Sequence, residues 1–246
     1  MNNQKTIVLR VAIAMALILI AGIIIIPMLF RDDLYDDFES GVYTLKDGQV
    51  SPNKKWANIY NGGGSSGVRN ELDTSNNVFF MYPNIAKAAN ETFANLVTTA
   101  RNFSNFNMSL DVNTVKQQRD NPSPNAWETA WVLFRYTDAF HYYWFVQKPT
   151  GIELGKKDCD TCTDPFDGQE FLYTDEIPAL KLGEWSKWRI IAIGNNITVS
   201  LNGTELVDFT DINMSPQLAS GSIGLYDEDA AVAFDNVRIK EIAPQK

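Results

Sequence analysis

The sequence predicts an all-β fold, a two-sheet antiparallel β-sandwich preceded by one N-terminal transmembrane helix. Short segments alternate apolar and polar residues with a period of two, which is typical of half-buried strands. Loops rich in Gly, Asn, Pro and Ser separate these segments, and no stretch beyond the N-terminal region keeps a sustained helical periodicity. Many short strands joined by such turns favour two packed sheets.

The N-terminal region contains an apolar run that is long enough to cross a lipid bilayer. Residues 11–30 carry no charged side chain, and a helix of that length spans roughly 30 Å, the thickness of the hydrocarbon layer. A cleaved secretion signal is the alternative. Such a signal has a shorter apolar region that ends in small residues, whereas this run ends in Ile-Pro-Met-Leu-Phe. We therefore predict an uncleaved anchor.

The charges that flank this run predict its orientation. Lys5 and Arg10 precede it, whereas acidic residues follow it. Because cytoplasmic flanks are enriched in Lys and Arg, we expect a single-pass protein of the cell membrane with a cytoplasmic N-terminus. The predicted organisation is a cytoplasmic tail at 1–10, a transmembrane signal anchor at 11–30, a short spacer at 31–35 and an extracellular domain at 36–246.

The charge of the chain excludes one class of partner. Lys and Arg number 21 and Asp and Glu number 30, which gives a formal net charge of −9. Three of the cations and none of the acids precede residue 32, so the remainder carries 18 − 30 = −12. Nucleic-acid binding requires a clustered basic surface, and the sequence has no Lys/Arg cluster. We therefore predict no nucleic-acid partner.

Two further patterns agree with an extracellular location. Cys159 and Cys162 are the only cysteines, and together with the single histidine they offer too few ligands for a tetrahedral zinc site. A disulfide that closes a small loop is the favoured interpretation outside the cell. Sequons of the form Asn-x-Ser/Thr predict N-glycosylation, although Asn-rich turns also generate them. They begin at Asn90, Asn102, Asn107, Asn196, Asn202 and Asn213.

The strands are predicted in chain order from these patterns. Asn202-Gly203 predicts a type I′ hairpin turn, because both residues accept positive φ angles. The last strand changes phase at Asp235 and Asn236, which predicts a β-bulge. Ile85–Phe93 is the one segment after the span that is expected to form a short helix. The predicted strands are Val78–Tyr82, Asn95–Thr99, Met108–Val112, Trp127–Tyr136, His141–Gln147, Trp188–Ile193, Ile197–Leu201, Thr204–Phe209, Gly221–Tyr226 and Ala231–Ile239.

The functional prediction rests on the hairpin formed by residues 127–136 and 141–147. If Tyr136 pairs with His141, one face of the hairpin is the better core and the other combines aromatic and cationic side chains. Flat aromatic rings stack on the C–H face of a pyranose, and cationic donors bind hydroxyls or carboxylates. The alternative is that these aromatics pack between sheets and that Arg135 is a paired charge at the core edge. The candidate carbohydrate-binding residues are Trp131, Arg135, Tyr142, Trp144 and Lys148.

Several short segments, in this order along the chain, carry a resemblance to a known group of folds. Together they resemble the concanavalin A-like jelly rolls of the laminin-G-like and 3-keto-disaccharide-hydrolase-type group. The resemblance implies a jelly-roll sandwich, and carbohydrate binding or processing in many relatives, although one fold hosts many activities. The matching segments are 36–39, 131–136, 141–145, 185–189, 197–203, 221–225 and 232–237.

Catalysis is the second functional prediction. Laminarinase-type hydrolases of this fold carry Glu-x-Asp-x-x-Glu on one strand, and this sequence has no such run. Polysaccharide lyases of related fold use His, Tyr and Arg, for which the candidates are His141, Tyr143 and Arg135. Their Gln-x-His motif is missing. We therefore expect a non-catalytic glycan-binding domain, with a polysaccharide lyase or glycoside-processing enzyme as the alternative. A structural cell-envelope or partner-binding role is the remaining alternative.

A structural calcium ion is the only cofactor predicted. In related jelly rolls the first and last strands are neighbours, and calcium joins them through hard oxygen ligands. The candidate ligands are Asp36, Asp37, Glu39 and Asp235, and the alternative is a solvated acidic terminus. A weaker candidate is the acidic loop with Asp158, Asp160, Asp164 and Asp167.

Overall fold

The computed structural model describes residues 33–71, 74–164 and 167–243. The predicted cytoplasmic tail and membrane span lie outside these residues, and no helix within them is long and apolar enough to cross a membrane. From Leu34 onward the chain forms one compact unit. Its strands are β1 Leu34–Asp36, β2 Tyr43–Leu45, β3 Trp56–Tyr60, β4 Ser65–Asn70, β5 Asn77–Tyr82, β6 Ala94–Thr99, β7 Phe106–Gln117, β8 Ala130–Asp138, β9 His141–Lys148, β10 Gly151–Asp158, β11 Gln169–Asp175, β12 Ser186–Ile193, β13 Asn196–Leu201, β14 Thr204–Thr210, β15 Ser222–Glu228 and β16 Ala230–Glu241, with a 3-10 helix at Pro216–Ala219.

The strands form two antiparallel sheets. The first has the order β14-β13-β12-β7-β16-β5-β4-β2, and β1 pairs with the C-terminal part of β16. The second has the order β11-β10-β9-β8-β15-β6-β3. This arrangement confirms the predicted all-β, two-sheet antiparallel sandwich.

The main core lies between the two sheets and is built by alternate residues of each strand. On β7 and β12 these residues include Met108 and Ile190, which are fully buried and register-paired. Across the interface, the Phe145 ring of β9 meets the Trp188 ring of β12 edge-on at 5.0 Å. Each buried side chain of this size contributes roughly 1.5–3 kcal/mol, so the alternating pattern of the strands also stabilises the fold.

Two local predictions are confirmed by the backbone. Asn202 and Gly203 have φ angles of 50° and 83° and connect β13 to β14, as a type I′ turn requires. On β16, the register shifts between Asp235 and Arg238, and Asn236 has a φ of 51°. The extra residue lets Val232 and Val237, which differ in parity, both face the core.

The region before β6 differs from its prediction. Ile85–Phe93 forms no helix; it is a loop between β5 and β6. Its carbonyls are bound by a distant side chain, because Arg119 donates to the carbonyls of Ala88 and Glu91 at 2.7 and 2.9 Å. This tertiary contact satisfies two backbone carbonyls of the loop without helical hydrogen bonds.

The hairpin of β8 and β9 agrees with its predicted register only in part. Phe134 pairs with Tyr143, as predicted, but His141 pairs with Asp138 instead of Tyr136. The strand absorbs the difference at Arg135, whose φ is 51°. This bulge reverses the predicted faces of Arg135 and Tyr136.

Candidate functional site

A pocket of about 700 Å³ opens on the outer face of the second sheet, the face turned away from the main core. Its floor is a second apolar cluster formed by side chains of β6, β8 and β9. Alternation explains this cluster, because Trp131 and Leu133 point outward while Val132 and Phe134 point into the main core. The residues of the cluster are Leu96, Trp131, Leu133, Trp144 and Val146, with Tyr136, Tyr142 and Tyr226 packed against them.

Aromatic rings form a continuous surface across the pocket. Trp131 meets Tyr226 edge-on at 5.8 Å and Trp144 at 6.1 Å, so the rings of three adjacent strands are in contact. Trp144 in turn meets Phe171 of β11 edge-on at 6.0 Å. Trp131 and Trp144 are mostly covered, at 8% and 1% exposure. They therefore support the floor, and the exposed ring surface at the rim comes from other aromatic residues.

Trp127 and Phe171, the two most exposed aromatic side chains of the pocket, form its rim. Trp127 precedes β8 and is 46% exposed, and Phe171 on the edge strand β11 is 61% exposed. Both line the pocket. The carbonyl of Trp127 accepts a hydrogen bond from Trp131 Nε1 at 2.8 Å, which fixes the rim to the floor. Neither ring is among the site residues that the sequence predicts. Phe171 gives no signal because it lies on a strand without clear alternation.

One side of the pocket carries an ion pair between β9 and β10. Lys148 Nζ donates to Glu153 Oε2, and Trp144 Nε1 donates to Glu153 Oε1 at 3.0 Å. The Lys148 and Glu153 side chains are 16% and 8% exposed. The pair therefore orients Trp144 and neutralises both charges at this wall.

The opposite side is held by a buried guanidinium. Arg119 donates to Glu128 Oε1 at 2.6 Å and to Asp229 Oδ2 at 2.8 Å. Its remaining bonds go to the backbone of the β5–β6 loop, which supplies Ala89 and Thr92 to the pocket wall. Arg119 is thus a positioning residue that fixes the shape of this wall.

Glu228, at the end of β15, is the carboxyl group of the pocket without a cationic partner among the described contacts. Its pKa is raised to about 7, chiefly by burial and also by the nearby carboxylates of Asp229 and Glu128. Hydrogen bonds from Tyr226 and Trp127 lower the same pKa, and the Tyr226 hydroxyl lies 3.0 Å from Glu228 Oε2. A carboxyl group of this kind can exchange a proton near neutral pH.

The structure brings together four of the five candidate carbohydrate-binding residues. Trp131, Tyr142, Trp144 and Lys148 all line the pocket. Arg135 does not: it is 1% exposed, and its Nε donates to the carbonyl of Ser104 at 3.0 Å. The bulge in β8 turns Arg135 to the inner side, where burial lowers its pKa. Tyr136, which the predicted register places on the core face, lines the pocket instead of Arg135.

The three candidate lyase residues do not converge on the pocket. The Tyr143 hydroxyl lies inside the sandwich and donates to Asp211 Oδ2 at 2.7 Å, which together with burial raises its pKa. His141 lies at the hairpin end, 3.0 Å from Asp138 and 3.2 Å from Asp160. None of Arg135, His141 and Tyr143 lines the pocket.

The predicted calcium ligands engage separate neighbours. Asp36 Oδ2 accepts from Trp56 Nε1 at 2.7 Å, and Asp235 Oδ2 accepts from an asparagine amide at 3.0 Å. Glu39 accepts from the Asn77 backbone at 2.7 Å, and Asp37 from a tyrosine hydroxyl at 3.1 Å. Within 33–71, 74–164 and 167–243, no three His, Cys, Asp or Glu side chains are grouped to hold a metal, the acidic loop included. The calcium site stays a prediction.

The modification candidates lie on the surface. Cys159 and Cys162 are joined in a disulfide. Asn107 and Asn196 are half-buried on strands, and the other four sequon asparagines are exposed. Glycosylation at all six positions stays a prediction.

The two-sheet order and the outward pocket define the class of the protein, a concanavalin A-like jelly roll. The chain belongs to the family described as the 3-keto-alpha-glucoside-1,2-lyase-like domain, whose match covers residues 41–240. No match is found among the curated proteins.

Solved structures with the same fold include carbohydrate-active proteins. The carbohydrate-binding module CBM66 from Bacillus subtilis has a TM-score of 0.53 at 12% identity, over 76% of this chain and 96% of that one. A family 16 endo-glucanase from Bacteroides ovatus, in complex with G4G3G-2F-DNP, has a TM-score of 0.54 at 11% identity, over 84% and 99%. An endo-acting O-glycanase of the human gut microbiota has a TM-score of 0.55 at 9% identity, over 87% and 100%. At these identities the likeness shows the fold alone.

Proposed function

We propose that the protein is a carbohydrate-binding domain that takes a glycan into the aromatic pocket on the outer face of the second sheet. The observation that carries the proposal is the continuous ring surface, with a supported floor and two exposed rim aromatics. Pockets of this size with apolar walls and a few polar groups are typical ligand sites. The similar fold of a carbohydrate-binding module supports the same ligand class.

The pocket supplies both kinds of contact that a sugar requires. Trp127 and Phe171 offer ring faces to the C–H groups of a pyranose. The hydroxyls of Tyr142 and Tyr226 stay protonated, because burial raises the pKa of Tyr142 to about 12 and that of Tyr226 well above its usual value. The Tyr142 hydroxyl can therefore donate a hydrogen bond to a sugar oxygen over the whole physiological pH range, whereas the Tyr226 hydroxyl donates to Glu228 and its oxygen can accept one.

A binding survey with rim variants tests this proposal. The purified protein is applied to an array of polysaccharides and oligosaccharides, and Kd is measured for each that binds. Trp127→Ala and Phe171→Ala should each weaken binding by roughly 1–2 kcal/mol, as expected for loss of an aromatic contact. Trp185→Ala removes a 37% exposed ring outside the pocket and should leave Kd unchanged. A protein that binds no glycan would refute the proposal.

Glu228 favours a second candidate function, proton-transfer chemistry on a bound glycoside. Hydrolysis normally uses two carboxylates roughly 5–9.5 Å apart. Glu153, Val146, Trp131 and Tyr226 lie in one row across four strands, so the backbones of Glu153 and Glu228 are separated by at least about 14 Å. Glu153 is also bound to Lys148 and Trp144. The engagement of Glu153 by these two groups argues against hydrolysis by a carboxylate pair.

Elimination requires only one carboxylate base. In a 3-keto glucoside the carbonyl acidifies the C2 hydrogen; Glu228 would take this proton, the C1–O bond would break, and a C1=C2 double bond would form. The departing oxygen takes a proton from water. We expect 4-nitrophenol release from 4-nitrophenyl 3-keto-α-glucoside, with Glu228→Gln reducing kcat at least about a hundredfold. If the compound binds but no 4-nitrophenol is released, the elimination activity is refuted and the non-catalytic binding function remains.

We also propose that this domain is held outside the cell by the N-terminal apolar run. The support is the length of that run and the positive charges before it. The two exposed rim aromatics would then face extracellular glycans.

A further inference from the structure

We infer that the pocket selects uncharged saccharides and rejects those that carry carboxylate or sulfate groups. The inference rests on the proposed glycan-binding function and adds the ligand class. It follows from the placement of every charged side chain that lines the pocket.

The first cation of the pocket has most of its donors occupied. Arg119 has five N–H groups, and four of them bind the carboxylates of Glu128 and Asp229 and the carbonyls of Ala88 and Glu91. Both carboxylates are fully buried. An anionic sugar that paired with Arg119 through two N–H groups would have to displace one of these acceptors. Displacing a carboxylate would leave it buried without its partner, which is strongly unfavourable.

The second cation is also paired. Lys148 is bound to Glu153, and Glu153 is held a second time by Trp144. A ligand carboxylate that recruited Lys148 would leave Glu153 as a largely buried anion beside the incoming charge. The pair therefore presents a dipole to the ligand and not a free positive charge.

The remaining charged group of the pocket lining is acidic. Glu228 lines the cavity, and the buried carboxylates of Asp229 and Glu128 lie near it. A ligand anion would meet this negative region in a partly desolvated pocket, where like charges repel more strongly than in water. Neutral hydroxyls meet no such penalty and can bind Glu228 and the tyrosine hydroxyls.

Chemical derivatives of one polymer provide the test. A neutral polymer that binds the full-length protein is oxidised at C6 to the carboxylate, and part of that product is converted to the carboxamide. Kd for the carboxylate should be at least about tenfold weaker than for the parent. The carboxamide has nearly the same size without the charge, and it should recover most of the affinity. A set of natural uronate and sulfate polymers is tested in parallel.

Two variants separate the pocket from the general negative charge of the protein. Glu228→Gln should reduce the carboxylate-to-parent Kd ratio by a factor of about three or more. Glu205→Gln removes the same charge from an exposed position on β14, outside the pocket, and should leave the ratio unchanged.

Each outcome bears on one of the two proposals. Tight binding of a carboxylate or sulfate polymer would overturn the selectivity while supporting glycan binding. Equal ratios in the Glu228→Gln variant, the Glu205→Gln variant and the parent protein would also overturn it, because the repulsion would then come from outside the pocket. If no saccharide binds, glycan binding itself fails and the selectivity falls with it.

Discussion

Glu228 shows how a single position connects the stability of the protein to its site. Burial and two neighbouring carboxylates raise its pKa from 4.5 to about 7 in the folded protein. The folded state therefore binds more protons than the unfolded state between these values. The free energy of unfolding must then fall as the pH rises from about 4.5 through 7, as far as this group contributes.

Glu228→Gln should remove this pH dependence. We expect the variant and the parent protein to have similar stability near pH 4.5, and the variant to be more stable at pH 8. The difference at pH 8 should be on the order of 2 kcal/mol, since the carboxyl is partly exposed to the pocket and solvent reduces the full effect of its shift. Urea unfolding at a series of pH values measures it, with Glu205→Gln as the exposed control. A difference in stability between variant and parent that stays constant with pH would contradict the raised pKa of Glu228.

The site residues could be predicted from the sequence wherever strand alternation was unbroken. Trp131 and Tyr142 were placed correctly because the register of β8 and β9 holds up to Phe134. Arg135 was misplaced, because no Gly or Asn marks the bulge; an arginine with a φ of 51° is held there by its contact with Ser104. The sequence does not mark Glu228 as a site residue, because its raised pKa depends on burial and on neighbours from other parts of the chain.

Among the elements, the β5–β6 loop has a shape that depends on a distant residue. Arg119 follows β7 and binds the carbonyls of Ala88 and Glu91 in this loop. It is also the cation that neutralises Glu128 and Asp229. Removing Arg119 therefore releases a pocket wall and leaves two carboxylates buried.

Arg119→Met should destabilise the protein by about 3–5 kcal/mol, the usual effect of breaking a buried ion pair. It should also weaken glycan binding under conditions where the protein remains folded. Adding Glu128→Gln to this variant should recover part of the stability, because one unpaired carboxylate is removed. Lys181→Met, at a 76% exposed ion pair, should change stability by less than about 1 kcal/mol. Urea unfolding measures the stability of each variant. Equal destabilisation by Arg119→Met and Lys181→Met would contradict the role of Arg119.

The elements also differ in how well the sequence reveals them. The bulge of β16 could be predicted because Val232 and Val237 are both apolar and differ in parity. β10 was not predicted, because Glu153, Lys156 and Lys157 give it a polar sequence. All three are buried, and the first two are satisfied by ion pairs with Lys148 and Asp211. Strand prediction from alternation assumes that charged residues are exposed, so it does not detect buried ion pairs of this kind.

For the whole molecule, the two sheets serve different purposes. Among residues 33–71, 74–164 and 167–243, the outer face of the second sheet carries a second apolar cluster, and that face holds the pocket. The sequence could predict a sandwich, since alternation and turn residues act locally. It could not predict the pocket in full, because Tyr60, Phe171 and Glu228 come from β3, β11 and β15. Their meeting depends on the order of strands in the sheet.

The proposed membrane attachment also belongs to the scale of the whole molecule. The compact unit begins at Leu34, so its folding should not depend on the apolar run before it. We expect the full-length chain to sediment with membranes, to resist extraction by high salt, and to be released by detergent. Deletion of residues 1–33 should move the protein to the soluble fraction with an unchanged Tm.

Protease treatment of intact cells tests the orientation of the same attachment. An extracellular domain should be lost from intact cells, whereas a cytoplasmic reporter fused before Met1 should survive, since positive charge is retained on the inner side. The control is the same treatment after lysis, which should remove both. A domain protected in intact cells would reverse the orientation. An N-terminal sequence of the mature protein that starts after Phe30 would replace the anchor by a cleaved signal, while the extracellular location would remain.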